Sequence, residues 1–356
     1  MRTRDASRII TELLKEQIPY LLVGAPGIGK TDINEQARQE LGLSMVVSHL
    51  VTADPTDTKG IPWPDAVSKR ANFLPIGEVA DVLEATEPTL WFWDDFGQAV
   101  PSVQAACMQW LLARRSGGHI LPDCVTIGLA TNRRQDRAGV SGILEPVKSR
   151  LVILPVEAHI DDFSSWALSN DVDTRIIAFL RNCNQVPGKD SQGNNIEMLS
   201  PETTSTSIEN SPSPRTWKRA SDILKIGFPK DLQMQALKGC IGESAAVTLS
   251  AWIEVLSSMV NLDSILIDPA GSPLPKTLGE KFAISTGLAG KCTVSSFASI
   301  AQYATRMLDA GMGEFSMLCI KDCQHRVPAI KSTNAYLKLT VSKMWDLVMG
   351  TTGSTD

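Results

Sequence analysis

Short apolar runs alternate with helical patterns over residues 1–157. Apolar side chains recur at helical spacing over residues 5–16, which predicts an amphipathic helix there. Five later runs are short and rich in β-branched or aromatic residues, and they predict strands at residues 19–24, 45–51, 90–95, 124–132 and 150–156. Apolar strands separated by helical patterns are typical of a parallel sheet covered on both faces. The pattern therefore predicts a doubly wound α/β domain.

Two segments interrupt this alternation of strands and helices. Residues 58–77 are rich in proline and glycine and too irregular for a crossover helix, so we predict a hairpin or loop that projects from the sheet. A helix is predicted at residues 98–113, and residues 114–123 then place Gly117 and Gly118 between two short extended pieces. Paired glycines in that position indicate a second hairpin.

Helical periodicity dominates the chain after residue 158. We predict a helical domain over residues 158–265, with a polar and mobile loop at residues 188–214. A linker rich in proline and glycine, residues 268–276, leads into a C-terminal helical segment over residues 276–350. The tail after that segment is predicted to be disordered.

A phosphate-binding loop is predicted directly after the first strand of the α/β domain. The segment "GAPGIGKT" has the spacing Gly24-x-x-x-x-Gly29-Lys30-Thr31, in which glycines let backbone N–H groups curl around an anion. The lysine of such a loop reaches the β- and γ-phosphates, and the threonine hydroxyl holds Mg²⁺. A helix that starts at Thr31 would point the positive end of its dipole at the same phosphates. The predicted nucleotide-binding residues are Gly24, Pro26, Gly27, Ile28, Gly29, Lys30 and Thr31.

Two carboxylates end the third predicted strand. Asp94 and Asp95 follow four bulky apolar residues, and desolvation makes such a pair of like charges costly unless a cation compensates it. A Mg²⁺ ion beside the phosphates would supply that positive charge. Asp94 is then predicted to hold the ion through its water shell, together with Thr31, and Asp95 to orient or deprotonate the attacking water. An ordinary turn of solvated aspartates is the alternative.

Asn132 and Arg150 are two further residues at strand ends. Asn132 closes the fourth predicted strand and, if that strand neighbours the third, its amide can hold the attacking water against the γ-phosphate. Arg150 stands at the start of the fifth strand, where an arginine can stabilise charge that develops on a transferring phosphoryl group. The alternatives are an ordinary turn residue for Asn132 and a surface cation for Arg150.

Arg215 occupies an unfavourable place in a predicted helix. Ser213 is a good N-cap, Pro214 suits the first helical position, and Gly227 with Pro229 closes the helix. A cation in the first turn of a helix is disfavoured by about 0.3–1 kcal/mol. A bound phosphate at that end of the helix would reverse the penalty. We therefore predict that Arg215 is a phosphate sensor contributed by the helical domain.

Composition and charge narrow the class of protein. The chain has 356 residues, of which 43% are hydrophobic and 21% charged, and this balance favours a folded globular protein. Its formal charge of −5 disfavours duplex nucleic acid as the main partner, although a local basic groove stays open. No apolar run is long enough for a membrane span, and no signal peptide is expected. Seven cysteines without a C-x-x-C pair predict a reducing, cytoplasmic location.

These residues, in this order, resemble the AAA+ ATPases, and more narrowly the MoxR-type branch of that family. The resemblance covers roughly residues 15–260 and is carried by the segments "GAPGIGKT", "DPTDTKGIPWPD", "LWFWDDFGQA", "ILPDCVTIGLATNR", "KSR" and "SPRTW". It implies an ATP hydrolase that uses Mg²⁺. Residue by residue, it implies a Walker A loop from Gly24 to Thr31, a Walker B pair of Asp94 and Asp95, Asn132 as sensor 1, Arg150 as an arginine finger for the neighbouring subunit, and Arg215 as sensor 2.

The same resemblance implies an assembly and a kind of partner. Members of this family form rings, usually hexamers, and act as chaperone-like remodelling engines on a protein client. They often work alongside a protein with a von Willebrand factor A domain. Residues 58–77 would correspond to the family's helix-two insertion, and residues 114–123 to its pre-sensor hairpin.

One position departs from the family pattern. The second Walker B acid is usually glutamate, whereas Asp95 is shorter by one methylene and reaches less far towards the attacking water. This departure favours an alternative function, a binding switch that holds ATP and hydrolyses it slowly. A DNA-acting motor or loader is a further alternative, and the acidic balance of the chain argues against it.

Overall fold

The computed structural model describes residues 1–65, 67, 69–136, 139–140, 142–186, 198–199 and 209–340. These residues fall into two compact units, of which the first runs from Met1 to His159 and the second begins at Ile160. The loop predicted at residues 188–214 lies largely outside the described residues. Residues 341–350 of the predicted C-terminal segment and the predicted tail lie wholly outside them.

Five parallel strands form the main sheet of the first unit. In chain order, the strands of this unit are β1 (Tyr20–Val23), β2 (Ser44–His49), β3 (Ile61–Asp65), β4 (Arg70–Leu74), β5 (Thr89–Asp94), β6 (Arg115–Ser116), β7 (His119–Ile120), β8 (Val125–Thr131) and β9 (Val152–Pro155). The main sheet has the order β2–β5–β8–β1–β9, and each neighbouring pair is parallel. The predicted parallel sheet is therefore confirmed.

Helices cover both faces of this sheet. The helices of the first unit are α1 (Thr3–Lys15), α2 (Lys30–Leu41), α3 (Gly77–Leu83), α4 (Pro101–Ala113) and α5 (Glu145–Lys148). Alternate side chains of β5 point to opposite faces, as expected for a pleated strand. Leu90 and Phe92 pack in one core cluster with residues of α1 and α2, whereas Trp91 and Trp93 pack in another with residues of α4. The first unit is therefore the doubly wound α/β core that the sequence predicts.

The start of α4 requires a correction. The sequence predicts a helix from residue 98, but the structure begins it at Pro101, after a separate 3₁₀ turn over Phe96–Gln98. Proline suits the first turn of a helix because the N–H that it lacks would have no partner within the helix there. The side chain of Gln98 is consequently free of the helix and turns towards the end of the sheet.

Both interrupting segments form antiparallel hairpins. Strands β3 and β4 pair over the first segment, and β6 and β7 pair over the second. The two hairpins also contact each other, since a ring nitrogen of His119 lies 2.6 Å from the carbonyl oxygen of Phe73. The indole of Trp110 in α4 donates to the carbonyl of Thr58 at 2.8 Å, so the first hairpin is also tied to the core.

The described part of the second unit is built from helices and turns. Its helices are α6 (Ile160–Ser169), α7 (Thr174–Gln185), α8 (Pro214–Ile226), α9 (Lys230–Ile241), α10 (Glu243–Met259), α11 (Leu262–Ile267), α12 (Leu278–Gly290), α13 (Phe297–Asp309), α14 (Gly313–Arg326) and α15 (Asn334–Thr340). Helices α6 to α10 share one apolar core cluster, and helices α11 to α15 share another. Of the described helices, none has the length and apolar character needed to cross a membrane.

A buried ion pair joins helices from these two clusters. Arg181 of α7 contacts Asp322 of α14 at 2.5 Å, and the same guanidinium donates to the hydroxyl of Thr286 in α12 at 2.8 Å. Arg181 is 8% exposed and Asp322 is 3% exposed. The division of this region into a lid over residues 158–265 and a separate segment over 276–350 stays a prediction.

Candidate nucleotide-binding site

The glycine-rich loop lies between β1 and α2, at the carboxyl edge of the main sheet. Gly29 has a φ of 93°, in the left-handed region that glycine adopts at low cost, and α2 begins at the next residue. A Cβ atom on Gly24 would lie 2.7 Å from the carbonyl oxygen of Val156, so the close approach of loop and sheet needs glycine there. The order of strand, glycine loop and helix is the structural context that a phosphate-binding loop requires.

Lys30 lies across this loop. Its Nζ donates to the carbonyl oxygens of Gly24 at 3.0 Å and Ala25 at 3.1 Å, and to Oδ1 of Asn132 at 2.7 Å. The residue is only 7% exposed. Burial of an ammonium group is costly unless acceptors surround it, and these oxygens provide that compensation. The ammonium group of Lys30 is therefore held between the glycine loop and Asn132 at the end of β8.

Thr31 and Asp94 provide two neighbouring oxygen ligands. The hydroxyl of Thr31 donates to Oδ2 of Asp94 at 2.9 Å, and Oδ1 of Asp94 accepts the backbone N–H of Asp95 at 2.9 Å. Among the described residues, no group of three or more His, Cys, Asp or Glu side chains is placed to hold a metal ion. Mg²⁺ in nucleotide sites usually takes one or two protein carboxylates together with phosphate oxygens. The Thr31–Asp94 pair thus fits an ion that arrives with the nucleotide.

Asp95 has an unusual backbone conformation. Its φ of 53° lies in the left-handed region, where aspartate and asparagine are enriched several-fold among residues with side chains. Oδ1 of its carboxylate accepts from the amide of Gln98 at 2.6 Å and from the amide of Asn132 at 3.4 Å. The second of these contacts is long for a hydrogen bond. The left-handed backbone gives a physical reason for aspartate at this position.

Asn132 connects the two charged parts of the site. It follows Thr131, which is level with Val23 of β1 in the sheet register. Strands β5 and β8 are neighbours, as the sequence argument for Asn132 required. The amide accepts from Lys30 through Oδ1 and donates to Asp95 through Nδ2. A single amide therefore spans the cation of the loop and the second carboxylate of the acidic pair.

A buried tyrosine supports the first turn of α2 from below. The hydroxyl of Tyr20 donates to Oδ1 of Asn34, whose Nδ2 donates to the carbonyl of Lys30 at 2.8 Å. Burial raises the pKa of the Tyr20 phenol, so it stays protonated as a donor. Gly128 allows this contact, because a Cβ atom there would lie 2.6 Å from the tyrosine hydroxyl oxygen. Sequence reasoning missed these supports, since a lone tyrosine, asparagine or glycine in an apolar strand or helix carries no spacing signal.

Gln98 is the other residue that sequence reasoning missed. The sequence predicts it inside a helix, whereas in the structure its amide forms hydrogen bonds with Asp95 and Thr131. A signal was present in the segment "DDFGQA", because Gly97 and a polar residue directly follow the acid pair. Glycine in that place indicates a close approach of the backbone to another part of the chain.

Arg150 does not join the residues at the phosphate loop. It follows α5, is exposed, and donates to the carbonyl of Pro146 at 2.5 Å and to Oγ of Ser149 at 3.0 Å. Arg150 precedes β9, and the first residue of that strand, Val152, pairs with Tyr20, the first residue of β1. The glycine loop follows the other end of β1. Arg150 therefore lies towards the amino edge of the sheet, as its sequence position predicts.

Arg215 belongs to the second unit. It is exposed in the first turn of α8, whose N-cap is Ser213, with a capping box formed by Ser213 and Thr216. Gly227 ends the helix in a left-handed conformation, so the predicted boundaries of this helix are confirmed. The role of Arg215 as a phosphate sensor stays a prediction.

Comparison with known proteins gives little help. No family model and no curated protein matches the sequence. The RuvB Holliday junction branch migration motor of Thermotoga maritima is a similar solved structure, with 14% identity, 87% of each chain covered and a TM-score of 0.37. NtrX of Brucella abortus, solved in complex with ADP, has 10% identity, covers 98% of this chain and 67% of its own, and has a TM-score of 0.40.

Proposed function

We propose that this protein is a ring-forming ATPase of the AAA+ class, similar to the MoxR type, that hydrolyses ATP to remodel a protein partner. The observation that carries the proposal is the meeting of loop, acid pair and amide at one edge of the sheet. Lys30, Thr31, Asp94, Asp95 and Asn132 come from three strand ends and form one connected set of hydrogen bonds. Ligands of open parallel sheets bind at the carboxyl ends of the strands, where this set lies.

Each of these residues has a role in the proposed reaction. Lys30 and the backbone of the glycine loop hold the β- and γ-phosphates of ATP. Thr31 and Asp94 would hold Mg²⁺, which when bound would offset the negative charge of the phosphates. Asn132 orients the attacking water, and Asp95 accepts its proton as the water oxygen bonds to the γ-phosphorus. The bond from that phosphorus to the β–γ bridging oxygen breaks, and ADP is the leaving group. The pair of a fixed cation and a nearby carboxylate base suits hydrolysis better than nucleotide binding alone.

The position of Arg150 supports a ring. Its exposed side chain lies towards the edge of the sheet opposite the phosphate loop, so it is poorly placed for the site of its own subunit. In a ring, each contact joins two different faces of neighbouring subunits. Such a contact can bring the amino edge of one subunit's sheet to the carboxyl edge of the next subunit's sheet. We propose that Arg150 completes the site of the neighbouring subunit. We propose further that the ring is a hexamer in the cytoplasm. In this proposal Arg215 senses the nucleotide, and the partner is a protein with a von Willebrand factor A domain.

A slow ATP-gated switch is the second proposed function. The observation that favours it is the short carboxylate of Asp95, which reaches less far than a glutamate would. Turnover measured with and without a partner protein separates the two functions. A remodelling ATPase hydrolyses ATP repeatedly, and it does so faster with its client. A switch holds ATP and hydrolyses it slowly, with or without a partner. Turnover that rises on addition of DNA would instead support a DNA-acting motor.

Phosphate release from Mg·ATP tests the proposed function. We expect steady turnover by the unaltered protein and none by Lys30→Ala, which also loses tight binding of a fluorescent ATP analogue. Lys15→Ala is the matched control, because Lys15 is a surface lysine of α1 that pairs only with Glu12 among the described contacts. Equal nucleotide affinity in the Lys30→Ala and Lys15→Ala variants would remove the basis of the site.

A further inference from the structure

The side chain of Gln98 joins the carboxylate of Asp95 to the end of β8. Its Nε2 donates to Oδ1 of Asp95 at 2.6 Å, and its Oε1 accepts from the hydroxyl of Thr131 at 3.2 Å. Asp95 directly follows β5, and Thr131 is the last residue of β8. One amide thus ties the second acid of the pair to the neighbouring strand of the rigid sheet.

The backbone around Gln98 is shaped for this contact. Its N–H donates to the carbonyl oxygen of Asp95 at 2.9 Å, which closes the 3₁₀ turn over Phe96–Gln98. Gly97 lies against β8 so closely that an added Cβ atom would be 2.2 Å from Oγ1 of Thr131. The turn can therefore approach the strand only because residue 97 has no side chain.

The contact fixes which oxygen of Asp95 can act as a base. Oδ1 receives both amide donors, from Gln98 and from Asn132. Within the part of the chain that the structure describes, Oδ2 of Asp95 has no hydrogen-bond partner. A carboxylate held at one oxygen presents the other in a defined direction, and a base must lie within hydrogen-bond reach of the proton that it takes.

We propose that Gln98 is a positioning residue for ATP hydrolysis, with Thr131 holding Gln98 and Gln98 holding Asp95. The inference rests on the proposed function, in which Asp95 accepts a proton from the attacking water. Asp95 reaches less far than a glutamate would, so the direction of its carboxylate matters more. A tether to the sheet removes the rotation that would turn Oδ2 away from the water.

Gln98→Met is the first test, because methionine keeps the length of the side chain and removes both polar atoms. We expect kcat for ATP to fall by about 10- to 100-fold, the cost of a displaced reacting group. KM for ATP and the affinity for a fluorescent ATP analogue should stay unchanged, since the phosphates are held elsewhere. Thr131→Val removes the hydroxyl that lies 3.2 Å from Oε1 of Gln98 and 3.1 Å from the carbonyl oxygen of Asn132, and we expect a smaller fall in kcat.

Gln98→Lys is the partial-rescue variant. Lysine can donate to the carboxylate of Asp95 but cannot accept from Thr131, and its charge makes that carboxylate a weaker base, so only part of the lost kcat should return. Gln104→Met controls for a general loss of stability. Gln104 is a buried glutamine whose amide donates to the carbonyls of Ala99 at 3.1 Å and Gly142 at 2.9 Å. We expect a lower Tm with a kcat near that of the unaltered protein for Gln104→Met.

Two outcomes would overturn the inference while the proposed function stands. In the first, the unaltered protein hydrolyses ATP, Asp95→Asn does not, and Gln98→Met keeps full kcat. In the second, kcat falls equally in Gln98→Met and Gln104→Met and follows the loss of Tm, which would show a structural role only. A lack of ATP turnover by the unaltered protein would overturn the proposed function, and this inference with it.

Discussion

The hydroxyl of Thr31 lies 2.9 Å from a carboxylate oxygen of Asp94, which joins the first turn of α2 to the end of β5. Their positions in the chain differ by 63. Two hard oxygen atoms are thereby placed side by side, and one of them belongs to the residue directly after the buried Lys30 in the chain. These two oxygens would suit Mg²⁺ as ligands if the ion arrives with a nucleotide. The pairing is the structural basis for reading the glycine loop as part of a nucleotide site.

Thr31→Val should weaken the use of Mg²⁺. Valine has nearly the same shape as threonine but cannot bind the ion, so the Mg²⁺ concentration for half-maximal turnover should rise about 10-fold or more. Magnesium titration of ATP turnover measures this shift. The matched control is Thr248→Val on α10, where the hydroxyl donates only to the carbonyl of Ser244 among the described contacts. An unchanged titration curve for Thr31→Val would argue against Thr31 as a ligand.

Asp95→Asn should bind ATP and keep it. Asparagine tolerates the left-handed backbone at this position, and its side-chain oxygen can still accept from Gln98, so the fold is preserved. The variant lacks a base for the attacking water, while Asp94 is intact. Nucleotide extracted after incubation should be mainly ATP, and the ring should persist longer in size-exclusion chromatography. Recovery of ADP at the normal rate would show that Asp95 is not the base.

Gly128→Ala should destabilise the α/β core. Its Cβ atom would lie 2.6 Å from the hydroxyl oxygen of Tyr20, and overpacking of this kind costs about 1–3 kcal/mol in the free energy of unfolding. Gly239→Ala is a control of opposite sign. Gly239 lies in α9 with open space around an added Cβ, so alanine should stabilise by about 0.5–1 kcal/mol. Urea unfolding measures both changes, and a Gly128→Ala protein as stable as the unaltered one would contradict the tight packing at Tyr20.

Asp322→Ala should strongly destabilise the helical unit. The variant leaves Arg181 buried without its carboxylate, and broken buried pairs cost about 3–5 kcal/mol. Glu254→Ala breaks the surface pair between Glu254 and Lys230 instead, and should cost less than about 1 kcal/mol. Thermal unfolding compares the two variants. Similar losses in both would mean that Asp322 contributes no more than a surface charge.

The main sheet and the loop could be predicted from the sequence because their signals are local. Each strand of the sheet is a short apolar run, and the spacing from Gly24 to Thr31 sets a loop and a helix start within one segment. The proximity of Asn132 to Asp95 depends on β5 and β8 being adjacent strands. The structure confirms that they are adjacent.

The supports of the site could not be predicted, because they depend on contacts between distant segments. The bond from Tyr20 to Asn34 joins β1 to α2 next to Gly128. In the second unit, the pair of Arg181 and Asp322 likewise joins helices that are far apart in the chain. The sequence predicts Gln98 as the first residue of a helix over residues 98–113. In the structure, the position of Gln98 depends on Pro101, because α4 begins there. It also depends on the close packing of Gly97 against Thr131 of β8.

Arg150→Ala should bind ATP and hydrolyse it slowly. Its side chain lies towards the amino edge of the sheet, so its removal leaves the phosphate loop of its own subunit intact. An arginine finger contributes roughly 10³- to 10⁵-fold in rate, and we expect a loss of that order. Nucleotide affinity and phosphate release, measured on the same preparation, check both parts of the prediction. Full turnover by Arg150→Ala would show that this arginine acts on no site.

Turnover by mixtures of Arg150→Ala and Asp95→Asn tests most directly whether two subunits share each ATPase site. Each variant keeps what the other lacks, so a mixed ring contains interfaces with an intact Asp95 on one side and an intact Arg150 on the other. With random mixing at equal amounts, about one quarter of the interfaces are complete, and turnover should peak at that ratio. Energy transfer between labelled variants confirms that the subunits exchange. Mixed rings that form and show no turnover above either variant alone would contradict the shared site.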